Sequence, residues 1–203
     1  MRPILLVFSL LAPLSAAHAI GILGFDHARP LEAGRVEAGL GAAAGDSVFN
    51  FYGIGRFGLL PDLEAMARGG VVTLGSERDE TGFELDGGVK FRFLRQQDTG
   101  NAVTVAAMGT ASILNAENTF LLGVDPSVVA SHHFTLTEDR ELFISAHIGL
   151  AVTFIDQRSS DTEFGLLGAF TAGVDIIPQV QLSLEAKLRD DLKRAGLAVT
   201  YLF

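Results

Sequence analysis

Ala195-Gly196-Leu197-Ala198-Val199-Thr200-Tyr201-Leu202-Phe203 is the stretch on which the reading of this chain turns. Side chains along a strand point alternately to opposite sides. Leu197, Val199, Tyr201 and Phe203 therefore fall on one face, and Ala198 and Thr200 on the other. The same two-sidedness is sharper upstream. Across 83–93, Phe83, Leu85, Val89, Phe91 and Phe93 share one face, while Glu84, Asp86, Lys90 and Arg92 share the other. Period-two alternation of this kind marks a strand lying between two unlike environments.

The same period predicts strands over 34–43, 48–59, 63–74, 83–93, 102–114, 119–135, 142–154, 163–176, 180–189 and 195–203. These strands number about ten and average roughly twelve residues, against about five or six in soluble sheets. A strand needs roughly nine to eleven residues to cross a tilted path through a bilayer. Leu60-Pro61-Asp62 and Ile177-Pro178-Gln179 read as tight turns, since Pro presets φ and Asp bonds its own backbone. The segments 76–82 and 156–162 read as charged or polar loops, and 190–194 as the last loop. Asp125-Pro126 predicts a bulge or bend within its strand. The uncharged region 102–114 alternates, and this alternation with its Val, Thr and Gly content favours strand over helix.

The N-terminus has a different character. Met1-Arg2 gives a positive start, 4–14 is apolar, and Ala17-His18-Ala19 is a small-x-small cleavage site. This predicts a secretory signal peptide over 1–19, too short to span a bilayer, and a mature single domain over 20–203. Residues 20–33 show no period and read as a short periplasmic lead-in, with Pro30 near its end. The 203 residues include no Cys and carry a net charge of −9. Mean hydropathy is +0.35, high for a soluble domain. Without Cys there is no disulfide framework, thiolate metal site or lipoprotein anchor. A net acidic protein with no basic cluster is a poor ligand for nucleic acid.

The closing residues Leu197, Val199, Tyr201 and Phe203, with a terminal aromatic, resemble the last strand of a bacterial outer-membrane β-barrel. With the signal and the strand pattern behind them, the mature chain resembles the small outer-membrane barrel superfamily, the class of the outer-membrane protein A barrel and the small porin-like proteins. The resemblance implies an all-β, closed, antiparallel up-and-down transmembrane barrel of about ten strands in the bacterial outer membrane. It also implies that both termini are periplasmic, that lipid is the surrounding partner, and that the barrel-assembly machinery reads those four residues. The expected state is a monomer without cofactor. A soluble secreted β-sandwich binding protein also alternates, with its apolar face turned inward, and is the rival fold. Trp is absent, so an aromatic girdle must come mainly from Phe83, Phe93, Phe134, Phe154, Phe164 and Phe203.

In the barrel reading Glu37, Glu64, Arg68, Glu84, Asp86, Lys90, Arg92, His147, Glu185, Lys187 and Arg189 point into the lumen. They predict either a charged constriction in a narrow porin-like channel or salt bridges that fill a structural envelope barrel. Barrels near eight strands are filled by side chains, and open channels come at larger counts. A non-enzymatic role is expected on both readings. The alternative is a membrane-embedded, lipid-modifying hydrolase built on Ser131, His133 and His147. Glu138, Asp139 or Glu141 would then orient the histidine, and His132 would face lipid. Asp156, Asp161 and Glu163 match no cation-binding loop, and the five His form no metal-ligand cluster.

Overall fold

The structure, a computed structural model, describes residues 27–45, 48–75, 80–96, 103–117, 119–155, 162–189 and 192–203; the side chains of Thr119, Ile155, Glu163, Arg189 and Leu192 are outside that description. The signal peptide, Asp156 and Asp161 likewise lie outside the described residues.

The elements are β1 (Val36–Gly45), β2 (Val48–Leu60), β3 (Leu63–Leu74), β4 (Glu80–Leu94), β5 (Thr104–Ala116), β6 (Thr119–Thr137), β7 (Arg140–Ile155), β8 (Thr162–Ile177), β9 (Val180–Arg189) and β10 (Leu192–Leu202). Each pairs antiparallel with its sequence neighbour, and β1 pairs with β10 to close a barrel. The closing ladder runs from Glu37 opposite Leu202 to Gly45 opposite Arg194. Phe203 N–H adds a bond of 2.8 Å to Val36 C=O. No strand edge is left open along the ring, which is what a bilayer core demands of a sheet.

The faces are inverted relative to a soluble protein. Phe51, Val89, Ile148, Leu166 and Leu184 stand exposed on the outside. Glu64, Arg68, Glu84, Asp86 and Lys90 are buried inside. A soluble sandwich would have the apolar set within, so the rival fold is overturned. An apolar belt of this extent fits lipid, not water. The end phenylalanines sort into two rings. Phe83, Phe154 and Phe164 are exposed near the end where β4, β7 and β8 meet their loops, and Phe93, Phe134 and Phe203 near the end that carries the C-terminus. This supplies the girdles that Trp and Tyr usually make.

Two local expectations are corrected. The β5–β6 register runs without a shift through Thr110 opposite Asp125 and Gly109 opposite Pro126. The irregularity of β6 comes later, between Thr135 and Thr137. Pro126, which lacks an N–H, brings no extra residue: the ladder to β7 skips Asp125 and Pro126 between Val124 opposite Val152 and Ser127 opposite Gly149, and resumes in the same register. The second correction is at the last loop. β10 begins at Leu192, so Arg194 is in the strand, with its side chain buried inside.

Candidate functional site

The lumen is built in three tiers, set by how far along each strand the inward residue lies. The first is at the end shared by the turns Pro61-Asp62 and Pro178-Gln179. Here Arg56 of β2 donates through Nε and Nη2 to both oxygens of Glu64 on β3, at 2.9 and 3.0 Å. Its Nη1 reaches Glu37 of β1 at 3.0 Å. Lys90 of β4 lies 3.2 Å from Glu64, and both side chains are 0% exposed. This forked geometry is what a planar guanidinium offers a carboxylate.

The second tier crosses the middle of the barrel. Arg68 of β3 donates through Nε to Asp86 at 2.6 Å and through Nη2 to Glu84 at 2.8 Å, both on β4. The Tyr52 ring packs against its guanidinium, 4.7 Å from Cζ to the centroid. Asn50 donates to the second oxygen of Glu84. On the opposite wall Glu185 accepts from Thr171 at 3.0 Å, and Lys187, Arg194 and Asp125 are buried in the same layer. The third tier, toward the other end, includes an apolar cluster on the β2, β3, β5 and β6 side. Val72, Leu74, Leu114, Ala116 and Leu121 form one buried cluster, with Val48 against it.

The lead-in, residues 27–35, does not lie free outside. It folds into the mouth of the first tier. Gly34 takes φ of +83°, a conformation open to Gly, and turns the backbone from the lead-in into β1. Gly34 N–H bonds to Gly58 C=O at 2.8 Å, and Gly58 N–H to Arg35 C=O at 3.0 Å. Gly58 must lack a side chain, because a Cβ there would collide with the Glu32 C=O. Beyond that hinge, Lys90 Nζ donates to His27 C=O at 2.9 Å. Leu31 N–H donates to Glu64 at 2.8 Å, and Ala28 N–H to Ser131 Oγ at 3.0 Å. Arg29 pairs with Glu141 at 2.7 Å, and the His27 ring packs on Phe143 with centroids 4.7 Å apart.

Among the sequence candidates, Glu37, Glu64, Arg68, Glu84, Asp86, Lys90, Glu185 and Lys187 are buried inside the barrel. His147 lies half-buried on the inward face of β7, opposite Val129. The Arg189 side chain is outside the description. Arg92 lies at the turn end of β4. It reaches back to the turn, where its Nε donates to Asp62 at 2.7 Å and its Nη2 to Pro61 C=O at 2.9 Å. Arg95 joins it on Asp62 with two bonds of 2.9 Å. Hydrogen bonds from Arg95 and then Arg92 hold the Asp62 carboxyl below the usual carboxylate range. Arg56, Asp125 and Arg194 are further buried lumen charges outside that set of sequence candidates. Alternation puts Arg56 on the polar face of β2, the extra length of β10 brings in Arg194, and Asp125 is hidden in the sequence by the Pro126 that follows it.

The serine–histidine reading gains a definite geometry. Ser131 Oγ lies 3.3 Å from His133 Nε2, and His133 Nδ1 lies 3.2 Å from Glu141 Oε2. The acid is Glu141, across the turn between β6 and β7; His147 sits further into the barrel. The order hydroxyl, imidazole, carboxylate is that of an activated nucleophile. The serine, however, is 1% exposed, and its oxygen already accepts the Ala28 N–H. In this conformation the relay holds the lead-in rather than facing a substrate.

No protein-family model matches the chain, and no curated protein sequence matches it. Solved structures do. An outer membrane channel from Pseudomonas putida F1 aligns over 91% of this chain and 100% of its own, with a TM-score of 0.50 and 10% identity. Neisserial surface protein A aligns over 83% of this chain and 94% of its own, with a TM-score of 0.44 and 14% identity. The N-terminal β-barrel domain of Pseudomonas aeruginosa OprF aligns over 85% and 100%, with a TM-score of 0.38 and 16% identity. The chain has the fold of the outer-membrane β-barrels.

Proposed function

We propose that this protein works in the bacterial outer membrane as a non-enzymatic, narrow porin-like channel that rests closed. One observation carries the reading: the two charged tiers of the lumen. Filling alone does not call for Glu64, Lys90, Arg68, Glu84 and Asp86 inside, since apolar side chains can fill a narrow barrel too. Buried ion pairs contribute little net stability over well-packed apolar groups of the same size. Mixed charges do suit a path that hydrates when it opens, and the fold is shared with a protein described as an outer membrane channel. The resting closure follows from the packing. Leu74, Leu114 and Leu121 pack into one buried apolar cluster on the β3, β5 and β6 side of the lumen, and an apolar constriction there would stop ions without a charged barrier. In this reading the barrel is a monomer surrounded by lipid, delivered through a cleaved signal and assembled through Leu197, Val199, Tyr201 and Phe203.

The test is current through the refolded mature protein in a planar bilayer. A channel that rests closed gives a quiet baseline with brief small openings, and Arg68→Ala alters its cation-to-anion preference. Membranes that stay silent at every voltage and salt concentration would leave the structural barrel as the better reading.

A second reading is favoured by the Ser131–His133–Glu141 relay. A serine hydrolase of the lumen mouth would have Ser131 as nucleophile, His133 as base and Glu141 orienting it. A fluorophosphonate probe decides it. Labelling abolished by Ser131→Ala would establish an activated serine, and no labelling would leave the relay as a clasp.

A further inference from the structure

We propose that the mouth formed by Lys90, Glu64, Ser131 and Glu141 is a binding site for an extended peptide carrying an arginine, and that residues 27–32 are its resident, exchangeable ligand. The wall groups read a peptide as a peptide. A lysine takes one backbone carbonyl, at His27. A carboxylate and a hydroxyl each take a backbone N–H, at Leu31 and Ala28. A second carboxylate takes a guanidinium, at Arg29. Three of the four contacts ignore the identity of the side chain, and the fourth selects a cation. The apolar part of the hold is slight: Ala28 against Ala106 and Val129, and the His27 ring on Phe143.

What makes the segment exchangeable is the state of the wall without it. Glu64 keeps the Arg56 fork and Lys90, and Lys90 keeps Glu64. Ser131 keeps His133, and Glu141 keeps His133 together with its own N–H bond to Asp175. No buried charge is stranded when the segment leaves, so departure avoids the penalty that usually fixes such contacts. Residues 27–32 belong to no ladder, and the ten strands stay paired whether they are seated or not. Gly34 at φ +83° and the bonds at Gly58 form the hinge.

The test uses the full mature protein, which has no native thiol. An Ala28→Cys variant refolded in liposomes is treated with a membrane-impermeant maleimide. The seated segment protects the thiol, so labelling is slow but goes to completion while the barrel stays folded. Gly58→Val speeds it by about tenfold, the factor carried by ~1.4 kcal/mol of lost affinity, and Arg29→Ala independently by about threefold, because the Arg29–Glu141 pair is more than a third exposed. A synthetic peptide spanning residues 20–35 then competes for the vacated mouth and speeds labelling further, at millimolar concentration because the tethered segment has that effective concentration. The same peptide with Arg29→Ala competes more weakly. Two results overturn the proposal. One is labelling as fast as in the urea-unfolded protein, which means the mouth holds nothing. The other is labelling that neither variant nor peptide accelerates, which means a fixed structural strap. None of these outcomes depends on whether the barrel conducts.

Discussion

Arg68 shows what a buried charge does in this lumen. It has two carboxylates, Asp86 at 2.6 Å and Glu84 at 2.8 Å, and a tyrosine face. Removing it leaves two buried carboxylates without that cation, Glu84 keeping only its bond from Asn50 among those described. Arg68→Met is expected to cost ~3–5 kcal/mol, read as a lowered urea midpoint in lipid, and Asp86→Asn in the same variant should recover part of the loss. Asp62, on the exposed turn, gives a pH signature instead. Its folded pKa lies below the ordinary Asp value because Arg95, then Arg92, bond to its ionised form. The stability it adds is therefore present above the ordinary Asp pKa and is lost as pH falls through the lowered folded value. An acid titration of the unfolding midpoint should show a small step that Asp62→Asn removes, small because the site faces solvent. At this scale the sequence was readable wherever alternation held: Glu84, Asp86, Lys90 and Glu185 sit where period two puts them. Arg194 was lost because it follows Asp190, Asp191 and Lys193, a charge run that reads as a loop. A lumen accepts a charge that an ordinary strand would not.

Among the elements, the lead-in is the one that local sequence does not disclose. It has no period because it is not a strand, and its order comes from β2, β3, β4, β6 and β7 at separations as long as that of Arg29 and Glu141. One signal pointed to it. A glycine inside a strand often marks close approach of another backbone, and Gly58 is such a glycine, lying against Glu32 C=O. The apolar tier is the element-scale counterpart at the other end. Leu114 on β5 is 2% exposed among Val72, Leu74, Ala116 and Leu121. Leu114→Ala leaves a cavity and is expected to destabilise the barrel by ~2–5 kcal/mol, measured by urea unfolding in lipid vesicles. In planar bilayers the same variant should open more often, since the dry constriction has been thinned. An unchanged urea midpoint would mean that the tier is not packed as described.

The whole molecule follows from one repeated rule: alternate, turn and pair with the last strand made, until the tenth strand meets the first. That rule was legible because each strand carries both environments in its own residues, lipid on Phe83, Leu85 and Val89, lumen on Glu84, Asp86 and Lys90. What the rule leaves unstated is how the lumen is filled, since that depends on which inward residues share a level, and level is a property of the closed register. The lumen tiers, the seated lead-in and the apolar belt all depend on a closed barrel with its apolar face in lipid. Gel mobility of the refolded mature protein in dodecyl sulphate, with and without boiling, probes that closure itself. A closed barrel runs as a compact band in the unboiled sample and shifts to the mobility of the unfolded polypeptide on heating. Identical mobility in both lanes, from a protein that also dissolves without detergent, would contradict it.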